Sequence, residues 1–131
     1  METGTFSLRK IFRNDARELE DLFQRVRKKG IVTSLDMAKP DPESEAGNAN
    51  WVRILERVLP YVDLFIPSLD EILFMIDRQT FDSLIGQYAE ASLVEKINTR
   101  LLDQLADTLI SMGALAVAIK LGDQGLYLRT G

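Results

Sequence analysis

Apolar residues recur along this chain at two spacings, and the alternation between the two lays out an architecture. From Asp15 to Lys29, Ala16, Leu19, Leu22, Phe23 and Val26 fall three or four apart with charges between them, which predicts an amphipathic helix. Asp15 followed by Glu18 fits a capping box, and Gly30 fits the position just past a helix end. Ile31 to Leu35 then reads as a short buried strand. Asp36 to Ala49 is a fourteen-residue loop rich in proline, acid and glycine, in which Pro40 and Pro42 forbid regular structure. Asn50 can cap a second helix that carries Trp51, Ile54, Leu55, Val58 and Leu59 on one stripe and ends at Pro60. Val62 to Ile66 predicts a second strand, closed by Pro67.

The pattern then repeats. Ser68 opens a helix through Met75 or Ile76, and helical spacing returns at Phe81, Leu84, Ile85, Tyr88 and Ala89. The longest helix is expected from about Leu93 to Met112, with Val94, Ile97, Leu101, Leu105, Leu109 and Met112 on one stripe and Gly113 at its end. Ala116 to Lys120 is a third strand, Leu121 to Gly125 a turn, and Leu126 to Arg129 a fourth strand returning antiparallel. Strands separated by amphipathic helices imply βαβ crossovers, hence a parallel sheet with helices on both faces. The first three strands are apolar with little alternation, as strands covered on both sides are. The expected fold is α/β over 1–131, ending in an antiparallel hairpin, with residues 1–14 poorly ordered or loosely packed.

Composition narrows the chemistry. The 131 residues include no cysteine and no histidine. That excludes disulfides, thiol nucleophiles, thiolate or imidazole metal sites and histidine-based triads. Carboxylates, lysine, arginine, hydroxyls and backbone amides remain, a set suited to phosphate or sugar handling. The net charge of −4 is uneven: residues 1–30 carry eight basic and five acidic groups, the remainder eight and fifteen. Arg25, Arg27, Lys28 and Lys29 fit cations complementing a helix C-terminus better than a nucleic-acid site, because no aromatics interleave them. The longest apolar run, Ala114 to Ile119, is far below the roughly 20 residues of a membrane span, and no signal peptide is visible, so a cytoplasmic location without membrane or nucleic-acid partners is expected.

In open α/β sheets ligands sit beyond the carboxyl ends of the parallel strands. Three segments qualify. Asp36 begins a long loop containing Lys39; such a carboxylate can bind a metal or a sugar hydroxyl, and the same residues suit a solvated turn. Ser68-Leu69-Asp70-Glu71 opens a helix directly after a strand; its amides can attract an anion and its carboxylates can hold Mg²⁺ through water, while the same residues make a plain capping box. Lys120-Leu121-Gly122-Asp123-Gln124-Gly125 can lay backbone and a lysine against a phosphate, or be a hairpin turn. Neither a dinucleotide fingerprint nor a Walker loop is present.

At these three places the chain resembles the PfkB, or ribokinase-like, carbohydrate kinase family. The resemblance rests on Val32 to Asp36 with the Pro40-Asp41-Pro42 loop and Trp51, on Leu59 to Glu71, and on Ala116 to Gly125. The second stretch is similar to a strand-to-helix segment ending in an N-x-x-E motif, with Ser68 standing where the motif has asparagine. The third is similar to the nucleotide-side turn K/T-L-G-x-x-G. What the resemblance implies is ATP- and Mg²⁺-dependent phosphorylation of a sugar hydroxyl. It implies that Lys120, Leu121, Gly122, Gly125, Ser68 and Asp36 border the nucleotide and that Glu71 influences Mg²⁺. Ala38 and Pro40 stand where many members carry asparagine and arginine.

The family's catalytic Gly-Ala-Gly-Asp segment, with its aspartate base, is not in this sequence, nor are its sugar-binding residues and lid. The expectation is a central segment of a sugar kinase, inactive as the isolated chain. The alternative is a non-catalytic α/β nucleotide-binding module, or one that self-associates through an exposed sheet edge.

Overall fold

A computed structural model describes residues 17–36, 49–87 and 99–131 of the chain. The Pro40 and Pro42 loop with Lys39, the expected helix positions Tyr88, Ala89, Leu93, Val94 and Ile97, and residues 1–14 lie outside the described residues.

The first helix, α1 (Arg17–Lys28), buries Leu19 and Phe23, four apart on one face. Glu18 and Glu20 lie in its first turn and Arg25, Arg27 and Lys28 in its last, so both ends match the helix dipole. Strand β1 (Ser34–Leu35) follows. Asn50 caps α2 (Trp51–Val58) by accepting the Arg53 N–H at 3.2 Å, and Trp51, Ile54, Leu55 and Val58 turn inward as the spacing predicts. A 3₁₀ turn, Leu59–Tyr61, built around Pro60, leads to β2 (Leu64–Phe65). Helices α3 (Leu69–Ile76) and α4 (Arg78–Gln87) are separated by Asp77 alone. Phe74 and Phe81 meet edge-to-face across that break, with centroids 5.5 Å apart. Helix α5 (Thr99–Ser111) buries Leu102, Leu105, Ala106 and Leu109, and the hairpin β3 (Ala116–Lys120) and β4 (Leu126–Thr130) completes the described chain.

The four strands form one mixed sheet in the order β1-β2-β3-β4. Ser34 and Leu35 pair in parallel with Leu64 and Phe65, which pair in parallel with Ala116 and Val117. β3 and β4 are antiparallel over five residue pairs. The α/β class and the closing hairpin are as the sequence predicts. Regular pairing in β1 and β2 is shorter than the apolar runs around them. Ile31 and Val32 are exposed, and Val62 is fully buried within the approach to β2.

One apolar core joins the layers. Leu35, Phe65, Val117 and Ile119 from the sheet meet Phe23, Trp51, Leu55, Leu73 and Leu109 from the helices. Fully burying side chains of this size contributes roughly 1.5–3 kcal/mol each against leaving them exposed. In β3, Val117, Ala118 and Ile119 are all buried although successive side chains point to opposite faces, so this central strand is covered on both.

A polar lock holds the amino-terminal edge of the sheet. Thr33 is 4% exposed, the one buried polar residue among the described residues, and its hydroxyl donates to the Tyr61 carbonyl at 2.8 Å. Its backbone N–H donates to Asp63 Oδ2 at 2.8 Å, and the Asp63 N–H donates back to Thr33 Oγ1 at 3.0 Å. Arg27 closes the network with an ion pair to Asp63 Oδ1 at 3.1 Å. α1, β1 and β2 are thereby tied at one end, leaving the opposite strand ends open to loops.

Candidate functional site at the strand carboxyl ends

β1, β2 and β3 run parallel, so the segments that follow them emerge at one edge. Asp36 leaves β1, Pro67-Ser68 leaves β2 and Leu121 leaves β3. Two contacts draw these exits together. Lys120 donates its backbone N–H to the Pro67 carbonyl at 2.8 Å and forms an isolated parallel bridge with Ser68. Its ammonium reaches across β2 to Asp36 Oδ1 at 2.9 Å, an ion pair between residues 84 apart in sequence. Lys120 therefore touches both other exits.

Ser68 stands at the start of α3 in extended backbone. Its N–H donates to Glu71 Oε1 at 2.8 Å, the reach-back arm of a capping box, and its hydroxyl donates to Asp70 Oδ1 at 2.6 Å. Burial pushes the Glu71 carboxyl up from its ordinary range; the Ser68 N–H and the positive charge of Lys120 act against that rise without cancelling it. Glu71 is thus partly desolvated, within the field of Lys120, and beside a helix start whose dipole favours anions.

After β3 the chain tightens into a 3₁₀ turn, Gly122–Gln124. The Leu121 N–H donates to the Gly125 carbonyl at 2.8 Å and the Gln124 N–H to the Leu121 carbonyl at 3.0 Å. Gly122 at φ 59° and Gly125 at φ 99° supply the left-handed backbone that closes this turn. A side-chain carbon built on either would meet nothing within 4 Å, so the turn faces open space. Leu121 is half-buried and both glycines are exposed.

No protein-family model and no curated protein sequence matches this chain. All seven positions singled out from the sequence fall on the one strand-end edge. Hydrogen bonding, pairing or charge links Asp36, Ser68, Glu71 and Lys120, and the Leu121–Gly125 turn continues directly from Lys120. The described residues contain no group of three or more acidic side chains able to hold a metal ion unaided. Mg²⁺ needs only one or two carboxylates when phosphate oxygens and water complete its shell, a demand that Glu71 can meet.

A cavity of about 470 Å³ between α1 and β1 adjoins this edge, lined by Leu22, Phe23, Val26, Ile31, Val32, Thr33, Ser34 and Asp36. Its walls are mainly apolar, and of the seven positions only Asp36 borders it. A second polar cluster lay beyond the sequence reading. The Tyr127 hydroxyl donates to Asp103, and Arg129 pairs with both Asp103 and Asp107. The Asp103 bond raises the Tyr127 phenol above its ordinary value. Its signal was available as two periods: i, i+4 acids on a helix and i, i+2 partners on a strand. Among the described residues no helix is long and apolar enough to cross a membrane.

Proposed function

We propose that this chain is a segment of an ATP-dependent carbohydrate kinase and bears the nucleotide-facing part of its site. The observation that carries the reading is Lys120. Three segments chosen for their chemistry leave parallel strands at one edge, and this lysine contacts two of them while opening the third. Its ammonium is placed to meet a phosphate as a point charge. The amides at the start of α3 offer an anion further donors. The Gly122–Gly125 turn leaves backbone accessible to the flat face of a base. Glu71 would hold Mg²⁺ through water, and when bound that ion neutralises charge on the transferring phosphoryl group.

Phosphoryl transfer to a sugar hydroxyl also needs a group to orient or deprotonate the acceptor. None of the site residues stands in that role, so the chain on its own is expected to bind Mg-ATP without turning it over. A thermal-shift series with Mg-ATP, run beside an ADP-release assay over a panel of sugars, tests both halves. A ligand that binds only the folded chain must raise its melting temperature. A shift without turnover is expected; turnover by the chain alone would sink the segment reading. Absence of any shift would favour the second reading, an α/β module that works by self-association, for which the exposed Leu126 and Leu128 of edge strand β4 speak.

A further inference from the structure

The geometry points to β4 as the contact between two copies of this chain, joined antiparallel about Leu128 into one continuous sheet. Among the described residues β4 is an outer strand, with β3 on one side and no strand on the other. The direction of its free backbone groups follows from the ladder. The Gly131 N–H donates to the Leu115 carbonyl and the Leu121 N–H to the Gly125 carbonyl, which marks these as hydrogen-bonded pairs. Alternation then turns Tyr127 and Arg129 toward β3 and leaves the N–H and C=O of Leu126, Leu128 and Thr130 pointing outward. Edge strands that stay single are blunted by proline, a bulge or charged side chains, lysine above all. The five-residue run Leu-Tyr-Leu-Arg-Thr has no proline, bulge or lysine, its register to β3 is unbroken, and its one charge, Arg129, is already paired with Asp103 and Asp107 of the same chain.

The sequence of β4 is complementary to itself. Outward groups must meet outward groups, so only registers that pair even positions with even positions are open. The one centred on Leu128 pairs all five residues: Leu128 with its twin, Leu126 with Thr130, and Tyr127 with Arg129. Shifting it toward the carboxyl end would set Arg129 against Arg129, and shifting it the other way would shorten the overlap. In the centred register each guanidinium lies beside the other copy's Tyr127, whose hydroxyl is held by Asp103. The cations thus face an aromatic ring and acid rather than each other. On the opposite face, Leu126 and Leu128, 57% and 63% exposed, become a four-leucine patch across the axis. The pairing is isologous and uses the same edge twice, so it closes at two copies. Five residues make a small contact, and the dimer should dissociate on dilution. This inference concerns the 131-residue chain and rests on the self-association reading, so nucleotide binding neither supports nor overturns it.

Sedimentation velocity across a dilution series should show a dimer giving way to monomer. Leu128→Lys places two like charges opposite each other and should yield monomer throughout, with an unchanged circular dichroism spectrum because the side chain is exposed. The chain has no cysteine, so Leu128→Cys introduces a single thiol. Facing α-carbons in a hydrogen-bonded antiparallel pair lie about 5.5 Å apart, within disulfide reach, so mild oxidation should link two copies of this variant. Leu115→Cys, exposed but off the edge, should link much more slowly. Monomer at every concentration, a dimer that survives Leu128→Lys, or equal linking rates for the two cysteine variants would each overturn the proposal.

Discussion

Lys120 gives the account its most discriminating perturbation, because the structure assigns it a competitor. Its ammonium is 2.9 Å from Asp36 Oδ1, with the two side chains 39% and 60% exposed. An ion pair this accessible is worth about 0–1 kcal/mol to the fold. Lys120→Ala should therefore leave stability within about 1 kcal/mol of the parent in urea unfolding. A hydrogen bond to a charged group contributes about 1.5–3 kcal/mol. If Lys120 exchanges Asp36 for a phosphate, the net gain is the difference, roughly 1–2 kcal/mol, so Lys120→Ala should weaken Mg-ATP binding about 5- to 30-fold. Asp36→Asn acts in the other direction. It frees the ammonium at no cost to the ligand and removes a negative charge from the phosphate's surroundings, so affinity should rise by about 2- to 5-fold. Isothermal titration of Mg-ATP into the three proteins reads these signs directly. Equal weakening by both substitutions would make the pair a cooperating unit and not a competition, and no effect of either would make it a surface contact with no part in binding; each result contradicts the competition.

Three further outcomes follow from the same geometry. Gly113 sits at φ 119°, and a side-chain carbon there would lie 2.7 Å from the Pro60 Cα, so Gly113→Ala should cost about 1–3 kcal/mol or more by denaturant unfolding. Thr33→Val keeps the shape but strips the hydroxyl that donates to the half-buried Tyr61 carbonyl, while the Asp63 N–H keeps the Thr33 carbonyl as acceptor; a loss of about 1 kcal/mol is expected in the same assay. Glu71 has its folded-state affinity for a proton raised by burial, so its ionisation opposes folding. Stability owed to it is present below the unfolded carboxylate value and is lost as pH rises through the higher folded one. The melting temperature of Glu71→Gln minus that of the parent should accordingly increase with pH from about 4.5 upward, and a difference that is flat or falling would contradict that assignment.

The legible parts of the fold were those that local physics determines. Trp51, Ile54, Leu55 and Val58 had to share a helix face, and Asn50 had the side chain to cap it. The onset of α4 was harder to see. It begins at Arg78 rather than Phe81, because Asp77 accepts the Thr80 N–H at 3.3 Å and starts the helix with no apolar residue to announce it. The strands were expected longer than their ladders, since apolar runs such as Ile31 to Leu35 report hydrophobicity and not pairing. At the site, one topological rule is enough to put Asp36, Ser68, Glu71 and Lys120 on a common edge. What it could not supply was the Asp36–Lys120 contact itself, which joins residues from two exits across a third strand. The Thr33–Asp63 lock was hidden for the same reason: a threonine inside an apolar run gives no sign of its partner thirty residues on.

Whether the carboxyl ends of β1, β2 and β3 form a nucleotide-phosphate site, as proposed, is tested residue by residue by chemical-shift mapping of backbone amides during titration with Mg²⁺ and a non-hydrolysable ATP analogue. Saturable shifts are expected at Asp36, Ser68 to Glu71 and Lys120 to Gly125, with Thr33 and Asp63 at the far edge unmoved. Shifts absent from these residues, or centred on the Thr33–Asp63 edge, would contradict the proposal.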